Sequence, residues 1–194
     1  MERASCHAWR VTPAQLVDLL LSLNPLSELP RTGWLLRGVA SPETIAAHSH
    51  GVAVVAMCIV DALRAEGETV DGERVLRMAL LHDAPEAATG DVPMPVKTPR
   101  LQAELKAAEA ALADRLLGEY ADAFHEAEQQ DTLEARIVKA ADKIQMMIKL
   151  LCYTKQGRGA LDEFWDNPAN QNHADLPFAK AVYAEILRRK IGDA

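Results

Sequence analysis

Residues 73–91 read ERVLRMALLHDAPEAATGD and combine a helical pattern with polar residues that a helix core does not favour. Three apolar side chains recur at the three- and four-residue spacing of a single helix face: Val75, Met78 and Ala79. His82 continues that line one turn later, and Asp83 follows about 100° further round the helix. The stretch therefore predicts a helix from Glu73 to about Ala87, whose inward face ends in a histidine beside a carboxylate.

The same helical spacing recurs along most of the chain. Caps, prolines and glycines mark where the segments begin and end. Besides 73–87, helices are predicted from Thr12, over 42–64 with Ser41 as the N-cap, over 100–129 with an interruption at Gly118, over 132–155 and over 178–191. The segments 89–99 and 157–177 are predicted to be loops. Since no segment alternates as strands do, the predicted fold is all-α.

Length and composition fit one globular domain. The chain has 194 residues, of which 49% are hydrophobic and 25% charged, a balance that allows a sizeable buried core. Aromatic residues are scarce at 5%, while alanine and leucine dominate, which favours closely packed helices. We predict a single domain over 1–194 with its core at about 16–190 and a disordered N-terminal segment, 1–11.

Several classes of partner are disfavoured by the sequence. A net charge of −7 argues against binding to polymeric nucleic acid. No apolar run approaches the roughly 18–20 residues of a membrane span, and the first ten residues lack the apolar core of a signal peptide. Three cysteines follow neither metal nor disulfide spacing: Cys6, Cys58 and Cys152. A cytoplasmic protein with unpaired thiols and no membrane partner is predicted.

Two further predicted helices also carry a polar residue on an inward line. His48 lies on the apolar stripe of helix 42–64, and Asp142 lies one turn from apolar Val138 and one turn from apolar Met146. A single inward histidine is more often a hydrogen-bonded core residue than a metal ligand. A buried carboxylate, however, is costly unless it is paired or bound to a metal. The joint pattern therefore predicts a shared site.

Two imidazoles and two carboxylates from three helices form a set that suits one divalent cation: His48, His82, Asp83 and Asp142. Mixed nitrogen and oxygen ligands fit Mn²⁺, Fe²⁺, Co²⁺ or Mg²⁺, and also Zn²⁺. Four protein ligands on a six-coordinate ion leave about two positions for water and substrate, as metal-assisted hydrolysis requires.

These four residues also form the H…HD…D pattern, in which the chain resembles the HD-domain metal-dependent phosphohydrolases. Four blocks narrow the resemblance to the 5′-deoxynucleotidase branch: RTGWLLRGV (31–39), PETIAAHS (42–49), LLHDAPEAATGDVPMPVK (80–97) and VKAADKIQMMIKLLCYTKQG (138–157). The resemblance runs from about Leu16 to Lys190. It implies a single-domain HD helical bundle, with one divalent metal held between its helices by the four pattern residues.

The resemblance also implies roles around that metal. Glu86 would position or deprotonate the attacking water, and Asp91 would contact the sugar hydroxyl. Arg31 would hold the phosphate, and Trp34 would shape the sugar pocket. Apart from the resemblance, the charge of Lys97 makes it a further candidate cation for the phosphate. The implied substrates are deoxynucleoside 5′-monophosphates, the implied metals are commonly Co²⁺ or Mn²⁺, and the implied assembly is a homodimer.

Two features depart from this picture or lie outside it. The family often has an acidic residue just before the first histidine, whereas this chain has Ala47, so the partner that would support His48 is expected to be missing. Lys139, Lys143 and Lys149 follow one another along helix 132–155 and are predicted to form a solvated face.

Two other functions remain open at this stage. Another HD phosphohydrolase, acting on a cyclic nucleotide or on (p)ppGpp, would share the metal ligands. The (p)ppGpp type is expected to carry paired acids soon after the HD pair, and HDAPEAA has one. A non-catalytic HD scaffold that binds nucleotide is the other alternative. It would be expected to have lost a ligand or Glu86, and the sequence retains them all.

Overall fold

The structure is a computed structural model that describes residues 11–171 and 175–192. All of the segment predicted to be disordered except Val11 lies outside these residues, as does Cys6. The described residues form ten α-helices: α1 (Pro13–Leu23), α2 (Thr32–Leu35), α3 (Ile45–Ala65), α4 (Gly72–Leu81), α5 (Glu86–Thr89), α6 (Pro99–Leu117), α7 (Ala121–Gln129), α8 (Leu133–Lys155), α9 (Asp162–Asp166) and α10 (Pro177–Ile191). Within these ranges the β-structure is limited to one isolated antiparallel bridge, between Pro30 and Thr44. The all-α prediction is confirmed.

Side-chain caps determine where three of the long helices begin. Thr12 forms a capping box with Gln15 at the start of α1, and Thr132 caps α8. The predicted start of helix 42–64 is wrong. Helix α3 is capped by Thr44, whose hydroxyl accepts the backbone N–H of Ala47, and not by Ser41, which has a positive φ of 51°.

Helix α4 ends six residues earlier than predicted. Its last residue is Leu81, and His82 occupies the C-cap position. Pro85 explains the early end, because it has no N–H to donate to the carbonyl of Leu81 and its ring would clash with that carbonyl. A turn leads into the short helix α5, which starts at Glu86. His82 and Asp83 consequently lie in a helix-to-helix connection.

Short helical elements lie where the sequence predicted irregular chain. Helix α9 falls within 157–177, and 3₁₀ turns occur at Met94–Val96 and Pro168–Gln171. Helix α2 was also not predicted. By contrast, the interruption at Gly118 is confirmed, since a 3₁₀ turn at Gly118–Tyr120 separates α6 from α7 and Gly118 has a φ of 53°.

The main core lies where α3 crosses α4 and α8, with α10 packed on the far side. Ile59, Met78 and Met147 are fully buried there. Burial of each such side chain stabilises the fold by about 1.5–3 kcal/mol. A smaller cluster joins α6 and α7 to Ala84, next to the HD pair. The connection that carries His82 and Asp83 is thus supported from both sides.

Helix α3 is long and apolar enough to cross a membrane by length and composition alone, with a mean hydropathy of 1.6 over its best window. The prediction that no apolar run reaches this length is therefore wrong. Its buried face, however, packs against α4 and α8 and contains His48. This is the arrangement of a core helix.

Candidate metal centre

Two helices, α3 and α8, and the connection between α4 and α5 bring the predicted ligands together around one point. Side-chain ligand atoms of His48, His82 and Asp83 lie within 4.8 Å of one another. Asp83 Oδ2 is 3.6 Å from His48 Nε2 and 3.4 Å from His82 Nε2. Asp142 Oδ1 lies 3.4 Å from the same His48 nitrogen. The two histidines and two aspartates, spread over nearly a hundred positions, thus face a common centre.

The hydrogen-bonding state of the two imidazoles fits a cation at that centre. The Nε2 atoms of His48 and His82 are buried and have no hydrogen-bond partner among the described residues. Their Nδ1 atoms are both engaged, His48 with Gln145 at 2.6 Å and His82 with the carbonyl of Ala79 at 2.9 Å. An imidazole that donates from Nδ1 leaves a lone pair on Nε2. A buried lone pair without a donor is well suited to a metal ion.

The two aspartates are held in the charged form that a metal requires. Burial alone would raise the pKa of Asp83, but His82, Arg31 and His48 lower it below its usual value. Burial opposes the shift at Asp142 too, where Lys143 and His48 hold the pKa well below its ordinary range. Both carboxylates are therefore ready to bind a cation without first losing a proton.

Glu86 lies beside this centre but outside the ligand set. Burial raises the pKa of its carboxyl to about 9, and the negative charges of Asp83 and Asp91 add to the shift. Its Oε2 atom is buried and without a hydrogen-bond partner among the described residues. A divalent cation nearby would lower this pKa again by its charge. A buried carboxyl whose pKa responds to a nearby cation is a candidate general base.

The centre opens into a cavity of about 790 Å³. Each of the predicted substrate contacts lines it: Arg31, Trp34, Asp91 and Lys97. Arg31 Nη1 donates to Asp83 Oδ2 at 3.0 Å, which points the guanidinium at the centre. Asp91 accepts the backbone N–H of Thr32 at 2.6 Å and so ties the loop after α5 to the start of α2.

Trp34 is 3% exposed and belongs as much to the core as to the cavity. Its indole N–H donates to Glu43 at 3.2 Å, and its ring packs edge-on against Tyr153 and at a tilt against Phe164. The side chain thus supports the wall of the cavity from behind.

Sequence reasoning missed the partner of His48. The expectation based on Ala47 is wrong, because Gln145, 97 residues away, contacts His48 Nδ1. The same amide donates to Glu43 at 2.9 Å. A buried glutamine at plus three from Asp142, within the apolar run IQMM, is the sequence signal that indicates this contact.

The lysines of α8 do not form a solvated face, so that prediction is wrong. Lys139 and Lys143 line the cavity, with their ammonium groups 3.5 Å and 3.8 Å from Asp142 Oδ2. Although Asp142 raises the pKa of Lys143, burial and Lys139 outweigh it and lower that pKa. Lys149 turns the other way and pairs with the buried Glu43 at 3.4 Å.

Comparisons with known proteins agree with the geometry of this centre. Residues 23–180 match the family described as HD domain, and the chain belongs to that family. It is 31% identical to the human protein named 5′-deoxynucleotidase HDDC2 over 83% of this chain and 80% of the relative. The resemblance to the 5′-deoxynucleotidase branch is thereby confirmed.

Solved structures share the fold of this chain. A conserved hypothetical protein from Pyrococcus furiosus is 34% identical and superposes with a TM-score of 0.76, covering 90% of this chain and 98% of the other. An HD-domain phosphohydrolase from Listeria innocua gives a TM-score of 0.76 at 19% identity, covering 91% of this chain and 90% of the other. At that identity the second match shows the fold alone.

Proposed function

We propose that this protein is a metal-dependent 5′-deoxynucleotidase, which removes the phosphate from deoxynucleoside 5′-monophosphates. The observation that carries the proposal is the pair of buried Nε2 atoms facing Asp83 and Asp142, with Glu86 and Arg31 beside them in one cavity. Relatives that cover most of the chain, including the human protein, are named 5′-deoxynucleotidases.

A phosphate monoester dianion requires charge neutralisation, an activated water and in-line attack. His48, His82, Asp83 and Asp142 would hold a divalent cation, which would supply positive charge to the phosphate and lower the pKa of water. Glu86 accepts the proton of the attacking water as the new phosphorus–oxygen bond forms. The bond from phosphorus to the 5′ oxygen breaks, and that oxygen takes a proton from solvent and leaves as the nucleoside hydroxyl, while Glu86 returns its proton to solvent.

The cationic side chains of the cavity bind the phosphate group. Arg31 presents a planar fork that matches two phosphoryl oxygens. Although burial opposes charge on this group, the neighbouring acids Asp83, Asp91 and Glu86 raise the pKa of Arg31, so it stays protonated. Lys97, Lys139 and Lys143 add further positive charge in the same cavity. Asp91 and Trp34 border the remaining space, which we assign to the sugar.

A substrate panel tests the proposal. The purified protein with Mn²⁺ or Co²⁺ is expected to release phosphate from deoxynucleoside monophosphates faster than it cleaves cyclic nucleotides or (p)ppGpp. Faster diester or pyrophosphate cleavage would assign it to another group of HD phosphohydrolases. A protein that holds no stoichiometric metal and releases no phosphate would be a nucleotide-binding scaffold.

The identity of the metal is part of the proposal. Imidazole and carboxylate ligands fit Mn²⁺, Co²⁺, Fe²⁺, Zn²⁺ and Mg²⁺. We propose Mn²⁺ or Co²⁺ as the ions that give activity. The measurement is phosphate release after chelation and readdition of each ion at equal concentration.

We also propose that the protein acts in the cytoplasm as a homodimer, without a membrane or polymeric nucleic acid as partner. An exposed apolar strip supports the dimer: Val54 and Met57 on α3 and Leu76 and Leu80 on α4 are 36–54% exposed. Light scattering should give twice the monomer mass of 21.2 kDa, and Met57→Glu should give the monomer. A monomeric wild-type protein at micromolar concentration would contradict this part of the proposal.

A further inference from the structure

We propose that Gln145, held in place by Glu43, is the positioning residue that keeps His48 in the tautomer able to bind the metal. The inference rests on the metal centre of the proposed function and assigns a role to two residues outside it. His48 is 1% exposed, and Gln145 Oε1 lies 2.6 Å from its Nδ1. Gln145 and Glu43 are themselves 7% and 8% exposed. Water therefore does not compete for these contacts.

The hydrogen-bond donors around Glu43 determine which way the glutamine amide faces. Glu43 receives the indole N–H of Trp34 on Oε1, the amide of Gln145 on Oε2 and the ammonium of Lys149 near Oε2. A carboxylate surrounded by donors can only accept. The NH₂ group of Gln145 must then point to Glu43, which leaves its carbonyl oxygen pointing to His48.

This orientation determines the tautomer of the neutral imidazole. A carbonyl oxygen accepts and cannot donate, so the Nδ1 atom of His48 must carry the hydrogen. In the neutral ring, Nε2 then holds the lone pair, and this is the atom that faces Asp83 and Asp142. The relay from Glu43 through Gln145 thus selects the tautomer that presents a ligand atom to the centre.

Gly51 provides an independent sign that the chain makes room for this contact. It lies in the middle of α3, where glycine is unfavourable for a helix. A Cβ atom there would lie 2.8 Å from Gln145 Cγ and 3.0 Å from its amide nitrogen. Any larger side chain at position 51 would push the amide away from His48. The sequence thus has a helix-weakening residue at the point on α3 where the side chain of Gln145 packs.

An amide partner also differs in charge from the carboxylate that often supports a metal-binding histidine. The centre already holds Asp83 and Asp142, with Glu86 next to them. Gln145 orients the imidazole without adding a further negative charge beside them. The negative charge of the relay lies one residue further out, on Glu43, where Lys149 balances it.

The test compares Gln145→Met with the wild-type full-length protein after removal of metal by a chelator. Methionine keeps the length and apolar volume, but its thioether sulfur accepts from Nδ1 far more weakly than a carbonyl oxygen does. Calorimetric titration with Mn²⁺ should show a Kd raised roughly 10- to 100-fold. Nitrogen-15 spectra of the metal-free protein, assigned with a His48→Gln variant, should show the Nδ1–H form of His48 in the wild type and its loss in Gln145→Met. Met147→Leu, a buried change two residues along α8, is the control and should alter neither.

Glu43→Gln serves as the second variant if Gln145→Met does not fold. Two facing amides can each donate or accept, so the amide of Gln145 can turn over and His48 should show a mixture of tautomers with weaker Mn²⁺ binding. An unchanged Kd or an unchanged tautomer in a folded variant overturns the inference and leaves the proposed function standing. A wild-type protein that binds no Mn²⁺ overturns both.

Discussion

Asp83→Asn is expected to lower phosphate release from a deoxynucleoside 5′-monophosphate by roughly 10³-fold or more. Asp83 is the residue on which the centre converges, because its Oδ2 lies near His48 Nε2, His82 Nε2 and Arg31 Nη1. The amide is nearly isosteric but is a poorer cation ligand, and it cannot balance the charge of Arg31. The measurement is kcat/KM with saturating Mn²⁺, together with the metal content of the purified variant.

A matched control for this variant is Asp114→Asn. Asp114 lies on α6 and pairs with His125 at 2.7 Å, away from the cavity lining. This change removes the same charge, so its turnover should equal that of the wild type. Full turnover in Asp83→Asn, with metal still bound, would refute the assignment of the centre.

Glu86→Gln is expected to lower kcat by roughly 10²- to 10⁴-fold while metal binding stays close to that of the wild type. In the proposed mechanism the carboxylate accepts the proton of the attacking water, which the amide cannot do. Because burial raises the pKa of Glu86, the wild type should lose activity as the pH falls through the pKa of this group in the metal-bound protein. The variant should lack that limb of the pH profile.

The control here is Glu104→Gln, an exposed acid on α6 that does not line the cavity. Equal kcat and an unchanged pH profile are expected for it. If Glu86→Gln instead lost its metal and kept normal kcat once Mn²⁺ was saturating, Glu86 would be a ligand and not the base.

The sequence predicted most of the helices and the four residues of the centre, because helical spacing is a local property of the chain. Thr12 and Thr132 mark helix starts by their own side chains, and His48 and Asp142 lie on apolar stripes that must turn inward. The end of α4 was less predictable, although Pro85 carried the signal. The apolar spacing of α4 continues beyond Leu81, although the proline removes the backbone hydrogen bond that would extend the helix.

The lysines of α8 show why spacing alone is not sufficient. Lys139 and Lys143 look like a charged helix face, and a charged face is usually solvated. They become part of a cavity only because α8 lines it together with Arg31 and the loop after α5. Their role depends on the residues opposite, and these come from segments far away in the sequence.

The sequence by itself determined that the chain is helical and that two histidines and two aspartates occupy inward positions, because both follow from a repeat that spans only a few residues. Tertiary structure alone decided that Gln145 meets His48 and that Glu43 meets Gln145. These contacts join positions about a hundred residues apart, and they exist because α3 and α8 approach closely at Gly51. Local sequence determines which face of a helix a side chain lies on, whereas the packing of the helices determines which atom it contacts.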